Sequence, residues 1–239
     1  MRLPGVQIDY LRRLSATGAK IVLVLSGGSP ISLEGIEDLV DAILFVGYPG
    51  QEGGKAVADI LFGDVNPSGH LPITFPKSED QIPPFEDYSM SNRTYRYSKE
   101  EPLFPFGFGL SYTDYQYTGL KLDRTNVPAG EDLKIEATLR NCGDRAGEQV
   151  VQVYLSDREA TVPVPQHKLV DFCRVALVPG ESKLVEFRIP AEKMAFVDED
   201  GHAKLEAGAF EIELGSCSPG ERGQVLGAPQ PLRAEFWVK

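Results

Sequence analysis

The sequence predicts an α/β domain followed by an all-β sandwich, and three observations carry that prediction. Up to about residue 76, short uninterrupted apolar runs alternate with segments of helical periodicity, the pattern of a parallel sheet with helices packed on it. After Thr113 the helical period vanishes and alternating strands recur at sandwich spacing. Between the two, residues 93–113 hold too much Pro and Gly for helix or regular strand and too many aromatic rings for a solvated linker.

Taken in order, Ile8, Leu11 and Leu14 recur at three-residue intervals ahead of Thr17-Gly18, which predicts an amphipathic helix over 7–17 with a glycine cap. The run 21–25, IVLVL, is stopped by Ser26-Gly27-Gly28-Ser29-Pro30 and reads as a strand buried on both faces. A second helix is expected over 33–40, and a second buried strand over 42–46. The third helix places Val57, Ile60 and Leu61 on one face and ends at Gly63. Residues 64–69 form a turn by their Asn-Pro and Ser-Gly pairs, and 71–76, with Pro72 and Pro76, form a short edge strand. Residues 77–92 are polar and Pro-rich, a long surface loop anchored by Tyr88 and Met90.

The aromatic seam over 93–113 should be buried, its rings clamping two domains together. Strands are then expected at 115–122, 133–139, 149–155, 169–177, 183–189, 210–214 and 232–238. Turn signals separate them, notably Val127-Pro128-Ala129-Gly130 and Val178-Pro179-Gly180-Glu181. About seven such strands in this length describe an immunoglobulin or fibronectin type III-like sandwich. Val162-Pro163-Val164-Pro165-Gln166-His167 is extended and should cross between sheets or lie along a neighbouring surface, with His167 in a packing or solvated role. Asp198-Glu199-Asp200-Gly201 lacks the spaced ligands of an EF-hand and reads as a solvated hairpin tip.

Composition narrows the function classes. The net charge of −11, from 35 acidic against 24 basic residues, with no Lys/Arg cluster, argues against a nucleic-acid partner. There is no apolar run of about 18 residues, hence no membrane span, and Met1-Arg2-Leu3-Pro4 does not begin a secretory signal, which leans towards a cytoplasmic location. Cys142, Cys173 and Cys217 lie far apart and read as buried free thiols, with one disulfide plus one free thiol as the alternative. His70, His167 and His202 are equally scattered, so no metal or other cofactor is expected.

Ligands of a parallel α/β sheet meet the loops at the carboxyl ends of its strands, which makes 26–30 and 47–54 the candidate binding edges. Lys55-Ala56 is not the Lys-Ser/Thr of a phosphate-binding loop, and Ser26-Gly27-Gly28-Ser29 is not a G-x-S-x-G elbow. The serines therefore read as turn chemistry.

Several motifs in register then carry a resemblance: Gly47-Tyr48-Pro49-Gly50-Gln51-Glu52-Gly53-Gly54, the stretch 58–72 (ADILFGDVNPSGHLP), Tyr95-Arg96-Tyr97 and Pro105-Phe106-Gly107-Phe108-Gly109-Leu110-Ser111-Tyr112. In order and spacing they resemble glycoside hydrolase family 3, its β-glucosidases and β-xylosidases. Downstream, 149–155, 169–172 and 177–182 are similar to that family's fibronectin type III-like domain. The resemblance implies that 1–113 are the family's C-terminal three-layer α/β/α sandwich domain, N-terminally truncated, and 114–239 the accessory β-domain.

It further implies retaining hydrolysis of terminal β-D-glucosyl or β-D-xylosyl residues by an aspartate nucleophile and a glutamate acid/base held about 5 Å apart. The (β/α)8 barrel that carries the aspartate has no counterpart here, and in many members the glutamate precedes the equivalent of Leu3-Pro4-Gly5-Val6-Gln7. No catalytic residue is thus expected in this chain, which should be inactive alone. Tyr48, Gln51 and Glu52, in the loop at the expected edge, are the candidate substrate-binding residues; Glu52 is the best-placed acid, and its plainer role is to order the loop or cap the next helix. Arg93, Arg96 and Tyr97 line the cleft or bind the seam to the sheet. The implied ligand is a β-linked oligosaccharide or aryl glycoside once a barrel is supplied, and the implied partners are such a barrel or a second copy of the chain. A non-catalytic carbohydrate-binding or scaffolding protein is the alternative.

Overall fold

The computed structural model describes residues 2–198 and 200–239. Helix α1 (Gly5–Ser15) buries Leu11 and is closed by the Thr17 hydroxyl, which donates to the Leu14 carbonyl at 2.7 Å, and by Gly18 at φ 76°. Strands β1 (Val22–Leu25) and β2 (Ala42–Phe45) pair in parallel, Val22 opposite Ala42 and Leu25 opposite Phe45. Leu11, Ile21, Leu25, Leu33, Ile36, Phe75 and Leu103 form the small core around them. Phe75 is 1% exposed and meets the edges of Phe45 and Phe104 at centroid distances of 5.2 and 5.9 Å.

The α/β reading holds, but three of its details are corrected. The helix expected over 33–40 is a single 3-10 turn, Glu37–Leu39, because Gly35 takes φ 71° while Leu33 and Ile36 both turn into the core. The strands are not buried on both faces: Leu25 is covered, whereas Val22 and Val24 on the opposite face are 47% and 40% exposed. Helix α2 (Gly53–Leu61) buries no residue; Val57 and Ile60 are half-buried, and Leu61 and Phe62 are exposed. Apolar patterning written for burial on all sides thus meets only part of its cover within this chain.

The edge strand expected at 71–76 is also not continuous. Its peptide groups pair with the seam at two points: Leu71 N–H donates to Phe108 C=O and receives Gly107 N–H, and Phe75 exchanges bonds with Phe104 and Leu103. Pro72 and Pro76 have no N–H to extend the ladder.

The second body is a β-sandwich. One sheet has the order β4 (Asn126–Val127), β12 (Leu232–Val238), β11 (Gly208–Gly215), β6 (Gly147–Asp157), β7 (Lys168–Leu177), and the other β3 (Tyr115–Leu122), β5 (Leu133–Asn141), β8 (Ser182–Ile189). The larger core, including Leu133, Leu139, Val151, Val153, Phe187, Ile212 and Phe236, lies between them. All seven expected strands are present, within two residues of their predicted ends. The two-residue ribbon β9 (Phe196–Val197) and β10 (Ala203–Lys204) carries the hairpin expected around 198–201, whereas the patterning did not announce the one-turn helices α4 (Ala191–Met194) and α5 (Arg222–Val225).

Burial along β6 explains how the two bodies join. Val151, Val153 and Leu155 face the sandwich core, yet Gln152, Tyr154 and Ser156 on the opposite face are buried too. They are buried because the seam lies over them: Tyr95, from the one-turn helix α3 (Thr94–Tyr97), stacks on Phe106 at 4.4 Å and meets the Tyr154 ring edge-on at 5.9 Å. The seam is a clamp, as its composition predicts.

Polar contacts complete the junction. Asn66 accepts from the Ser111 hydroxyl and Tyr112 N–H while donating to Ala146 C=O at 3.0 Å, and Arg174 on β7 donates to the Ser68 hydroxyl at 2.7 Å. The Pro-rich segment before β7 runs along the first body, where Gln166 donates to the carbonyls of Arg96 and Ser98.

Candidate functional site at the carboxyl edge of the parallel sheet

Strands β1 and β2 end side by side, and one carbonyl ties their loops together. Gly47 C=O accepts from Gly27 N–H at 3.0 Å and from the Ser26 hydroxyl at 2.8 Å. Ser26 is therefore a turn residue whose hydroxyl is spent on a backbone carbonyl, as its sequence context indicates. Gly28 lets the Tyr48 ring settle on the backbone: a Cβ there would lie 2.4 Å from Tyr48 Cε2. Gly53 similarly accepts Pro49. Small residues at 28 and 53 thus shape the edge.

The structure brings Tyr48, Gln51 and Glu52 onto this one loop, with all three side chains exposed and Tyr48 at 83%. Glu52 sits at the N-cap of α2, but its side chain makes no capping hydrogen bond, so the capping role is not adopted. The edge is an open wall. Two cavities, about 330 and 210 Å3, lie at the junction with the sandwich and contain none of these three residues.

Arg93, Arg96 and Tyr97 serve the seam and its neighbours. Arg93 donates to the carbonyls of Pro84, Asp87 and Ser89, gathering the loop that precedes α3. That loop is not anchored by Tyr88 and Met90, which are 86% and 45% exposed, as is Phe85 at 84%. Its base lies beside the loop after β1, where the Ser32 hydroxyl reaches Lys77 C=O and Arg2 pairs with Glu34. The exposed rings of Phe85 and Tyr88 are the surface feature that sequence reasoning missed; the Pro-Pro-Phe and Asp-Tyr context was its one visible signal.

His167, the Asp198 cluster and the cysteines are structural. His167 shares a 2.9 Å hydrogen bond with the Ser156 hydroxyl, and burial, with Arg158 nearby, holds its pKa below the ordinary histidine range. Asp198, Asp200 and His202 have ligand atoms within 4.8 Å of one another at the β9–β10 tip. Asp198 already pairs with Lys204 at 2.7 Å and accepts the N–H groups of Asp200 and His202, so it is committed to the hairpin, while Glu199 lies outside the described residues. The three cysteines are free thiols, with Cys142 exposed and Cys217 buried, and no disulfide forms.

Comparison with known proteins agrees with this geometry. Residues 1–112 match the family model described as the glycosyl hydrolase family 3 C-terminal domain, and residues 149–218 match the fibronectin type III-like domain. The chain is 37% identical over 221 residues to a β-xylosidase of Formosa agariphila, covering 90% of this chain and 31% of that protein. It is 38% identical over 225 residues to a periplasmic β-glucosidase of Salmonella typhimurium, covering 89% and 29% respectively. Among solved structures, a β-glucosidase from Erythrobacter marinus superposes with a TM-score of 0.86 at 35% identity over all of this chain and 30% of that one. A β-glucosidase from Listeria innocua in complex with isofagomine superposes with a TM-score of 0.84 at 30% identity, over 99% of this chain and 33% of its own. The chain spans about a third of the length of these relatives.

Proposed function

This chain belongs to glycosyl hydrolase family 3, spanning its C-terminal domain and its fibronectin type III-like domain, and we propose that it supplies one wall of a sugar pocket in a retaining exo-β-glycosidase. The observation that carries the reading is the carboxyl edge of β1 and β2, where Tyr48, Gln51 and Glu52 stand exposed on a loop shaped by Gly28 and Gly53. The open face at Val22 and Val24 gives a (β/α)8 barrel a surface to cover. The substrate class is a terminal β-D-glucosyl or β-D-xylosyl unit, and the aspartate nucleophile and glutamate acid/base belong to polypeptide outside these 239 residues. The chain by itself turns over nothing.

The test is an assay on aryl β-glucosides and β-xylosides, with the chain alone and with a separately produced family barrel. No turnover alone and turnover on adding the barrel supports the proposal. Robust turnover by the chain alone, abolished in Glu52→Gln, overturns it.

The exposed rings of Tyr48, Phe85 and Tyr88 favour a second reading, a non-catalytic carbohydrate-binding protein in which these rings stack on sugars. Calorimetric titration with cello- and xylo-oligosaccharides separates the two. Saturable heat without turnover in the presence of the barrel supports the second, and no heat counts against it.

A further inference from the structure

Arg96, Lys168 and Lys193 meet at a cavity of about 210 Å3 where α3 abuts the edge of the sandwich. In a chain of net charge −11, none of the three pairs with a carboxylate among the described residues. Arg96 Nε is buried and has no hydrogen-bond partner among the described residues, its guanidinium lying 6.0 Å over the Tyr97 ring. Lys168 Nζ donates to Lys193 C=O at 3.1 Å, which draws the two lysines together instead of apart. Burial above all, and then the like charges of Arg96 and Lys193, push the Lys168 pKa down. Three cations drawn together repel one another, and a bound oxyanion offsets that repulsion.

We propose that this cavity binds a small hydroxylated carboxylate of the size of one acidic sugar. The Arg96 guanidinium and the two lysine ammonium groups supply positive charge to the carboxylate. Asp157 lines the same cavity, and its neighbours Glu159 and Glu206 add negative charge behind it. That acidic side selects a monoanion over a phosphate dianion and leaves Asp157 to accept a ligand hydroxyl. Phe196, Pro163 and Pro165 give the cavity flat apolar walls suited to the C–H face of a sugar ring. The site is separate from the candidate edge, so it stands whether or not the glycosidase reading does.

The experiment is calorimetric titration of the 239-residue chain with D-glucuronate, D-glucose and inorganic phosphate at low salt, repeated with Arg96→Gln and Lys193→Gln. The expected result is saturable glucuronate binding that weakens as sodium chloride rises, little heat from glucose, and weaker binding of phosphate. Arg96→Gln should abolish binding. Lys193 lies exposed on the one-turn α4, so Lys193→Gln should leave the melting temperature unchanged while lowering the affinity about tenfold. Absence of glucuronate binding, phosphate binding more tightly, glucose binding equally, or an unchanged affinity in Lys193→Gln each overturns the proposal.

Discussion

The His70 imidazole and the Gln152 side-chain amide converge on the same two backbone carbonyls, those of Gly107 and Ser216. Gln152 Nε2 reaches them at 3.0 and 2.6 Å, and His70 Nδ1 also faces both, lying 3.0 Å from Ser216 O. Four segments distant in sequence are bolted there: the turn after α2, the aromatic seam, β6 and the end of β11. Nδ1 thus faces two carbonyl acceptors, while Nε2 lies 3.3 Å from Gln149 Oε1.

That bolt makes stability depend on pH. Burial above all, with the Arg174 charge adding to it, lowers the His70 pKa against the opposing pull of its hydrogen bonds, and burial lowers that of His167 as well. The unfolded chain therefore takes up protons first as pH falls below about 6.5. Stability is complete above the ordinary histidine range, is lost as pH falls through it, and levels off below the folded-state values. Each group contributes a slope of at most about 1.4 kcal/mol per pH unit. Melting temperatures from pH 7.5 to 5 should show this limb, flattened in a His70→Gln/His167→Gln double variant; an unaltered slope refutes the assignment.

Gly107 sits at φ 78° and a Cβ there would lie 2.1 Å from Gln152 Oε1, whereas Gly130 sits at φ 87° with nothing within 4 Å. Gly130→Ala should cost about 1–2 kcal/mol from left-handed strain alone. Gly107→Ala carries the same strain and also displaces the Gln152 amide from its carbonyls, so it should cost at least about 1 kcal/mol more. Denaturant midpoints of the two variants measure the difference, and equal costs would mean that Gln152 yields freely.

Phe75→Ala should remove about 3–5 kcal/mol from the smaller core, since the ring is 1% exposed and wedged between Phe45 and Phe104. The sandwich core does not include Phe75. Its variant should unfold in two calorimetric steps, the first body melting early; a single step at the original temperature contradicts the separation of cores.

Thiol reactivity reports on the junction. Cys142 is exposed and should react with a disulfide reagent at once at neutral pH. Cys217 is buried beside Gly223, and burial pushes its pKa up to about 12, so it should react only in denaturant. Fast modification of Cys217 in the native protein would show that the junction opens.

Much of this was legible from residues alone. Alternation from Tyr115 to Val238 located every long strand, because a sandwich strand with one face in the core writes its burial into period two. The clamp between 93 and 113 was legible because few arrangements accommodate that density of rings, Pro and Gly. Residues 33–40 misled because Leu33 and Ile36 have helical spacing, while Gly35 reverses the backbone between them. Tyr88 and Met90 misled because apolar type signals burial only when a neighbour arrives to cover it, and here Arg93 holds the loop by its carbonyls instead.

The amino-acid sequence by itself determined the two bodies, their order, the rings that join them and the loop that displays Tyr48, Gln51 and Glu52, since each is written in local period or turn chemistry. Only the tertiary structure decided which faces are covered, that His70 and Gln152 share two carbonyls, and that Arg96, Lys168 and Lys193 surround one cavity. The physical reason is range: backbone preference acts over a few neighbours along the chain, while burial and charge act between groups that folding alone brings close.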